Sequence, residues 1–241
     1  MDEKEIKQTQ GKLYGIGLGP GDPDLVTIKA VKALEMAEVI YLPKSKEKAS
    51  TALQIVDKYL NGNVIIEEME FSMSWDVETR VKSRKKNAEH IRENLDSGKV
   101  TAFLTLGDPL LYSTYNYLLD YLAPEHEVET IPGIYSFAAI SSQLSLPLCK
   151  GNDKLAVITS FDENTPELIE SMDTVVFMKP SSYSSGLYYF LSRNPGYHFV
   201  MITNAGKADQ KVFYSPEVLQ EKVPYFSTII LQKAKKTNIK N

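Results

Sequence analysis

The sequence predicts an α/β fold divided into two α/β domains. Short apolar runs alternate with segments of helical periodicity from Lys12 to the carboxyl end, a pattern typical of α/β units rather than of a β-sandwich or a helix bundle. This alternation breaks at 144–153, where Pro147, Gly151 and several polar residues fall close together, as they do in linkers. We therefore predict one domain at 1–147 and a second at 148–241.

Five predicted strands and five predicted helices alternate along the first domain. The strands are expected at 12–18, 38–42, 64–68, 100–106 and 127–131, and the helices at 27–37, 50–60, 77–97, 110–122 and 134–144. Thr27 is the expected amino-terminal cap of the first helix, because a threonine hydroxyl can accept a hydrogen bond from the backbone of the first turn.

The longest predicted helix, 77–97, has an apolar stripe and a charged face. The stripe consists of Val77, Val81, Ala88, Ile91 and Leu95, and Gly98 is expected to end the helix. The charged face consists of Arg80, Lys82, Arg84, Lys85 and Lys86. We interpret these basic residues as a solvent-exposed face, with contact to an acidic ligand as the alternative.

Five strands and three helices are predicted in the second domain. The strands are expected at 154–160, 174–178, 198–203, 210–214 and 226–232, and the helices at 165–172, 184–193 and 216–222. The final segment, QKAKKTNIKN, is interpreted as a frayed basic tail.

Composition limits the possible classes of protein. The 241 residues are 43% hydrophobic and 24% charged, as in ordinary soluble globular proteins. No apolar run is long enough to cross a bilayer, and the first residues lack a secretory pattern, so we expect a cytoplasmic protein with no membrane partner. The single cysteine, Cys149, excludes an intrachain disulfide and a cysteine-rich metal site. A net charge of −4 argues against a general nucleic-acid binder.

A glycine-rich turn follows the first predicted strand, in LYGIGLGPGDPDL. The dinucleotide fingerprint GxGxxG fails in every register, because Pro20, Asp22 or Asp24 occupies the third glycine position. The second strand also ends without an acidic residue for a ribose, and no P-loop motif is present. What remains is a turn in which four glycines keep side chains away and two prolines, Pro20 and Pro23, fix the backbone, so that a flat ligand can lie against the main chain. The glycines are Gly15, Gly17, Gly19 and Gly21. A tight turn that binds no ligand is the alternative.

Two further strand ends in the first domain carry glycine turns. LTLGDPLLYSTY places Gly107 and Asp108 after a buried strand, and TIPGIYSFAA places Gly133 before a helix that contains Ser136. Carboxyl ends of parallel strands share one edge of a sheet, so we expect the three turns to converge there. Asp108 is a candidate base or hydrogen-bond acceptor, and an ordinary Gly-Asp-Pro turn is the alternative.

In the second domain, FMKP, ITNAGKADQ and YFSTII mark strand ends. Lys179 is a candidate for binding an anionic substrate or directing a proton, with a solvated strand terminus as the alternative. The histidines are scattered and no GxSxG motif is present, so neither a protein-held metal nor covalent catalysis is expected. Such a site favours a co-substrate that itself carries the reactive group.

These motifs, in this order, resemble those of the tetrapyrrole methyltransferases over nearly the whole chain. The similar segments are YGIGLGPGDPDLVTIKAVKALEMAEVIY, LTLGDPLLYSTY, TIPGIYSFAA, VVFMKP and ITNAGKADQKV. Within that family, GDPLLYSTY and FMKP look most like the branch that methylates carbon 20 of precorrin-2 or cobalt-factor II. The resemblance implies an active site in the cleft between two α/β domains, S-adenosylmethionine as methyl donor, a homodimer, and a role in cobalamin biosynthesis.

The resemblance also implies a set of donor-binding residues. They are Pro20, Leu106, Gly107, Asp108, Leu111, Ser136, Met178, Asn204, Ala205 and Ser227. For proton transfer or substrate orientation, the catalytic candidates are Asp108, Lys179 and Tyr225.

The implied substrate carries eight carboxylates, so cationic residues should surround it. The candidates are Lys44, Lys46, Lys82, Arg84 and Lys150. Met73 and Trp75 are candidates for an apolar wall beside the macrocycle, with ordinary core packing as the alternative. Other functions compatible with the same fold are methylation of another corrin carbon, of a diphthamide precursor or of ribosomal RNA, and tetrapyrrole binding without turnover.

Overall fold

The computed structural model of the chain describes residues 11–44, 50–60, 62–72 and 74–234. The chain divides into two compact units, Met1–Tyr135 and Ser136–Asn241. Three of the sequence-based expectations concern residues outside the described ranges: Lys46, Met73 and most of the basic tail.

The first unit is built on a parallel five-stranded sheet with strand order β3-β2-β4-β1-β5. The strands are β1 (Lys12–Gly17), β2 (Val39–Pro43), β3 (Ile65–Met69), β4 (Val100–Thr105) and β5 (Glu127–Ile131). The helices are α1 (Ile28–Met36), α2 (Thr51–Val56), α3 (Val77–Asp96) and α4 (Tyr115–Leu122), with short 3₁₀ turns at Pro23–Leu25 and Asp57–Tyr59. Every predicted strand of this half is confirmed within one or two residues.

Alternate residues of the central strands enter two separate hydrophobic cores. Ile40 and Leu104 pack with α1 and α2 in one core, whereas Tyr41 and Phe103 pack with α3 and α4 in the other. Since successive side chains of a strand point to opposite faces, helices cover both faces of the sheet. This explains why the strands read as continuous apolar runs. The cap predicted at Thr27 is confirmed, because its hydroxyl accepts a hydrogen bond from Ala30 N at 3.1 Å.

Three helices of this unit differ from their prediction. The helix predicted at 50–60 ends as an α-helix at Val56, and Asp57–Tyr59 continues it as a 3₁₀ turn. In α3, Ala88, Ile91 and Leu95 are buried as expected, but Val77 and Val81 are 60% and 43% exposed, so the stripe contacts the core only in its carboxyl-terminal half. The fourth helix begins at Tyr115 rather than at residue 110. The preceding residues form a loop, because Leu110 N donates to the Asp108 side chain instead of starting a helical turn.

The second unit has a mixed five-stranded sheet with strand order β6-β7-β10-β8-β9. The strands are β6 (Leu155–Ile158), β7 (Thr174–Met178), β8 (Tyr197–Thr203), β9 (Lys211–Phe213) and β10 (Ser227–Lys233). The helices are α5 (Ser136–Gln143), α6 (Thr165–Ser171) and α7 (Ser184–Arg193). The helix predicted at 216–222 is a 3₁₀ helix, Pro216–Gln220, preceded by a second such turn at Pro180–Ser182.

The boundary between the units falls after Tyr135, earlier in the chain than the boundary predicted after residue 147. The helix α5 therefore groups with the second unit. Its first residue, Ser136, lies with its Oγ 3.3 Å from Thr228 Oγ1 on β10. Sequence periodicity detects the linker that follows α5, but it carries no information on which sheet a helix packs against.

None of the helices in the described ranges combines the length and the apolar character needed to span a bilayer.

Candidate functional site

Three loops meet at the carboxyl edge of the first sheet. β1 lies between β4 and β5, and all three strands are parallel, so the turns that follow them leave the sheet at the same edge. Two of the turns pair directly: Gly107 N donates to Gly19 O at 2.7 Å, and Gly19 N donates to Gly107 O at 3.2 Å. The predicted convergence of the glycine turns is therefore present.

Asp108 joins the second and third of these turns. Its side chain is 7% exposed, Oδ1 accepts a hydrogen bond from Leu110 N at 2.9 Å, and Oδ2 accepts one from Gly133 N at 3.1 Å. Both carboxylate oxygens thus bind backbone amides of the chain itself. The carboxylate of the catalytic candidate Asp108 therefore links the turn after β4 to the turn after β5.

The two glycines of these turns are needed for different reasons. A Cβ on Gly133 would overlap the Gly107 carbonyl oxygen, so Gly133 permits close approach of two main chains. Gly107 has φ +70°, and a Cβ there would meet no heavy atom within 4 Å. Gly107 therefore borders open space, as expected beside a bound ligand. Pro20, Leu106 and Leu111 belong to the same loops and are partly exposed.

In the second unit, the start of β10 lies beside the ends of β7 and β8. β10 pairs antiparallel with both strands, so its amino end is next to their carboxyl ends. Beyond the strands, Lys179 N donates to Ser227 O at 3.2 Å, and Asn204 N donates to Phe226 O at 2.8 Å. The sheet thereby brings together three segments that are far apart in the sequence, FMKP, ITNAGKADQ and YFSTII.

Two residues at this edge have unusual backbone conformations. Lys179 and Asn204 have φ values of 54° and 53°, in the left-handed region that asparagine adopts readily but that costs a lysine about 1–2 kcal/mol. Such strain is concentrated at functional sites, where surrounding contacts hold it. Here the backbone bonds to Ser227 and Phe226 hold both residues in place.

The remaining predicted donor residues of the second unit lie around the same strand. Ser227 is 3% exposed and donates its hydroxyl to Pro224 O at 2.7 Å. Ser136 contacts the neighbouring Thr228 through the hydroxyl pair already described. Met178 and Ala205 are partly exposed at the ends of β7 and β8.

The catalytic candidates Lys179 and Tyr225 are neighbours. Lys179 Nζ lies 5.9 Å from the centroid of the Tyr225 ring, and the Tyr225 side chain is 48% exposed. A lysine and a tyrosine so placed can both reach a ligand outside the sheet edge.

The residues expected to surround the substrate differ in their contacts and in their exposure to solvent. Lys44 forms a salt bridge with Glu70 at 2.7 Å, and the Arg84 guanidinium stacks 3.3 Å from the centroid of Tyr117. Lys82 and Lys150 are exposed. Trp75 is 97% exposed, so core packing is wrong as an interpretation of this residue.

Sequence reasoning missed Lys207, Phe226 and Thr228, which lie among the residues just described. All three residues lie in the segments ITNAGKADQ and YFSTII, but nothing in these motifs marks the three positions individually. Their grouping depends on the pairing of β10 with β8, which aligns Thr228 with Ile202.

Among the residues that the structure describes, no group of three or more His, Cys, Asp or Glu side chains is arranged to hold a metal ion.

Comparison with known proteins identifies the class. The family model for tetrapyrrole (corrin/porphyrin) methylases matches residues 12–218. The chain belongs to this family and is an S-adenosylmethionine-dependent methyltransferase.

Two relatives are similar to this chain over most of its length. The chain is 34% identical over 203 residues to a probable cobalt-precorrin-2 C(20)-methyltransferase of Methanocaldococcus jannaschii, covering 83% of this chain and 86% of the relative. It is 30% identical over 229 residues to the cobalt-precorrin-2 C(20)-methyltransferase of Salmonella typhimurium, covering 92% and 97%.

Solved structures share the fold at lower identity. A cobalt precorrin-4 methyltransferase has a TM-score of 0.73 at 18% identity, covering 92% of this chain and 94% of the other. A uroporphyrin-III C-methyltransferase of Thermus thermophilus, complexed with S-adenyl homocysteine, has a TM-score of 0.69 at 17% identity, covering 93% of each. These likenesses confirm the α/β fold that the sequence predicted.

Proposed function

We propose that the chain transfers a methyl group from S-adenosylmethionine to carbon 20 of precorrin-2, or of its cobalt-containing form cobalt-factor II, in cobalamin biosynthesis. The observation that carries this proposal is the similarity, over most of the chain, to relatives that are named for that reaction. The segments GDPLLYSTY and FMKP support the same branch. The alternative functions of the same fold are not favoured by these relatives.

The residues present fit the proposed donor. Gly107 borders open space, and the neighbouring turns expose backbone groups rather than reactive side chains, which suits a nucleoside lying against the main chain. We assign donor binding in the first unit to Pro20, Leu106, Gly107, Asp108 and Leu111. In the second unit we assign it to Ser136, Met178, Asn204, Ala205 and Ser227.

The chemistry requires little from the side chains. Bound S-adenosylmethionine would supply a methyl group made electrophilic by its sulfonium, and the meso carbon of a partly reduced tetrapyrrole is electron-rich. The task left to the protein is to orient the two reactants and exclude water, and well-oriented reactions gain about 7–11 kcal/mol in this way. The rigid backbone pairing of Gly19 and Gly107 suits that task.

A proton must leave carbon 20 once the methyl group is in place. We propose that Lys179 and Tyr225 direct this proton or orient the ring, since they are neighbours at the edge of the second sheet. We assign Asp108 to positioning, because Leu110 N and Gly133 N already bind its two oxygens.

We further propose that the protein is a cytoplasmic homodimer that binds no nucleic acid and no membrane, with the tetrapyrrole as its small-molecule partner and no metal of its own. The family resemblance supports the dimer, and the net charge of −4 supports the lack of nucleic-acid binding. Sedimentation equilibrium would show twice the chain mass of 27.1 kDa if the dimer is correct.

The decisive experiment is the regiochemistry of the product. The enzyme is incubated with donor carrying a labelled methyl group and with precorrin-2, with and without cobalt in the ring. Label at carbon 20 supports the proposal, and comparison of the two rates shows which form is the substrate. Label at another carbon contradicts the assigned position. Label on neither macrocycle, nor on any other tetrapyrrole tested, would leave a binding protein or a different substrate.

A further inference from the structure

Two exposed aromatic rings lie next to each other where β10 begins. Tyr225 and Phe226 have 48% and 41% of their area exposed, and their rings meet edge to face at 5.3 Å with an interplanar angle of 79°. Aromatic side chains generally bury most of their area. A pair of aromatic rings left exposed at a sheet edge that also holds the strained residue Lys179 is therefore a candidate ligand surface.

An ammonium group accompanies each ring. Lys207 Nζ lies 4.4 Å from the centroid of Phe226, and Lys179 Nζ lies 5.9 Å from that of Tyr225. Both distances fall within the range of cation–π contacts. We call these four residues the lysine–aromatic surface.

The charge of Lys207 is not neutralised by a carboxylate within the described part of the chain, where its ammonium contacts Phe226 and forms no salt bridge. The acidic residue closest in sequence, Asp209, accepts a hydrogen bond from Asn204 Nδ2 at 2.7 Å. An incoming anion can therefore pair with Lys207 without displacing an ion pair of the protein.

We propose that the lysine–aromatic surface binds the rim of the tetrapyrrole substrate. In this arrangement Lys207 pairs with a peripheral carboxylate, and the ring of Phe226 contacts the macrocycle. A partly reduced tetrapyrrole with many peripheral carboxylates offers both of the features that this surface complements, apolar area and negative charge. The inference rests on the proposed function and adds two specificity residues, Lys207 and Phe226, to it.

The test compares Lys207→Met, which keeps an unbranched apolar side chain and removes the charge, with Lys222→Met as the matched control. Lys222 is exposed in the same unit. The probe is a fully oxidised octacarboxylic porphyrin, whose binding is followed by the shift of its main absorbance band. We expect Lys207→Met to weaken porphyrin binding, and to raise KM for precorrin-2, by about tenfold. Donor affinity by calorimetry and kcat should stay within about twofold of the unmodified protein.

Phe226→Leu provides a second variant, which keeps apolar bulk and removes the aromatic face. We expect it to raise the same KM by about fivefold, since ring contacts contribute modestly beyond area burial. If both variants keep the KM and porphyrin affinity of the unmodified protein, the inference is overturned while the proposed function stands. An equal loss in Lys222→Met would also overturn it, because a general charge effect would then explain the result. If the unmodified protein methylates no tetrapyrrole, the proposed function fails and this inference fails with it.

Discussion

Gly107 and Lys179 each lie just after a strand and share a backbone conformation that is free of strain only for glycine. Both have positive φ, +70° and 54° respectively, a conformation that glycine adopts freely and lysine adopts at a cost of about 1–2 kcal/mol. The glycine borders open space, whereas the lysine carries an ammonium beside Tyr225. At the scale of single residues, backbone conformation therefore distinguishes these two candidate positions as much as their side chains do.

Gly107→Val tests the placement of the donor. We expect donor affinity to fall by at least about tenfold, because the side chain would enter the open space beside the turn. The positive φ of Gly107 also adds backbone strain of about 1–2 kcal/mol or more for a β-branched residue, so the substitution should lower the free energy of unfolding as well. Gly151→Val is the matched control, since Gly151 has φ +57° and open space, and lies outside the site. Calorimetry that finds equal donor affinity in Gly107→Val and the unmodified protein would refute the placement.

Lys179→Met tests the role of the strand-end lysine. If Lys179 directs a proton or orients the ring, turnover should fall by about tenfold or more, equivalent to about 1.4 kcal/mol. Lys154→Met, at an exposed position before β6, serves as the control and should retain normal turnover. Turnover of Lys179→Met within about twofold of normal would mean that Lys179 is a solvated strand terminus.

At the scale of elements, the parallel order of β4, β1 and β5 places three loops at one edge, and Asp108 fixes two of them to each other. Leu110 N lies in the loop after β4, and Gly133 N lies in the loop after β5. A buried backbone amide that loses its hydrogen-bond partner lowers the stability of the protein by about 1–3 kcal/mol. The geometry of both loops therefore depends on one carboxylate.

Asp108→Asn and Asp108→Ala separate positioning from base catalysis. Asparagine keeps one acceptor oxygen and alanine keeps none, so donor affinity should fall in the order Asp, Asn, Ala, with the free energy of unfolding lowered by about 1–3 kcal/mol for each amide left unpaired. The pH dependence of kcat should keep its shape in Asp108→Asn, because no titrating base is lost. Loss of an ionisation from that profile, with donor affinity unchanged, would make Asp108 a base after all.

Among the contacts that stabilise the molecule as a whole, a group of charge pairs connects β1, the neighbouring edge strand β5 and α1 of the first unit. Lys12 contacts Glu127 at 2.8 Å and Glu129 at 2.7 Å, and Lys29 on α1 contacts Glu129 at 2.6 Å. These pairs tie β1, β5 and α1 together. The hydrogen bond from Lys12, followed in importance by the one from Lys29, lowers the pKa of Glu129 to about 2. The pKa of a glutamate in an unfolded chain is about 4.3.

The depressed pKa of Glu129 predicts part of the acid sensitivity of the protein. A carboxyl group whose pKa is lower in the folded state stabilises the fold fully above its unfolded pKa, and this contribution is lost as the pH falls from about 5 to about 2. Glu129→Gln should therefore flatten the decline of Tm over that interval, whereas Glu163→Gln, at an exposed site on the second unit, should leave it unchanged. Parallel Tm profiles for Glu129→Gln and the unmodified protein would contradict this assignment.

The α/β alternation, the strands, the cap at Thr27 and the glycine turns are predictable from the amino-acid sequence, because each depends on local periodicity or backbone chemistry. The sequence motifs also indicate the family. Three other features are visible only in the folded chain. The helix α5 groups with the second sheet, Asp108 binds two backbone amides, and Lys207 and Phe226 lie beside Lys179 and Tyr225. These contacts join residues distant in the chain, and their pairing is set by the order and register of strands. A local pattern contains neither.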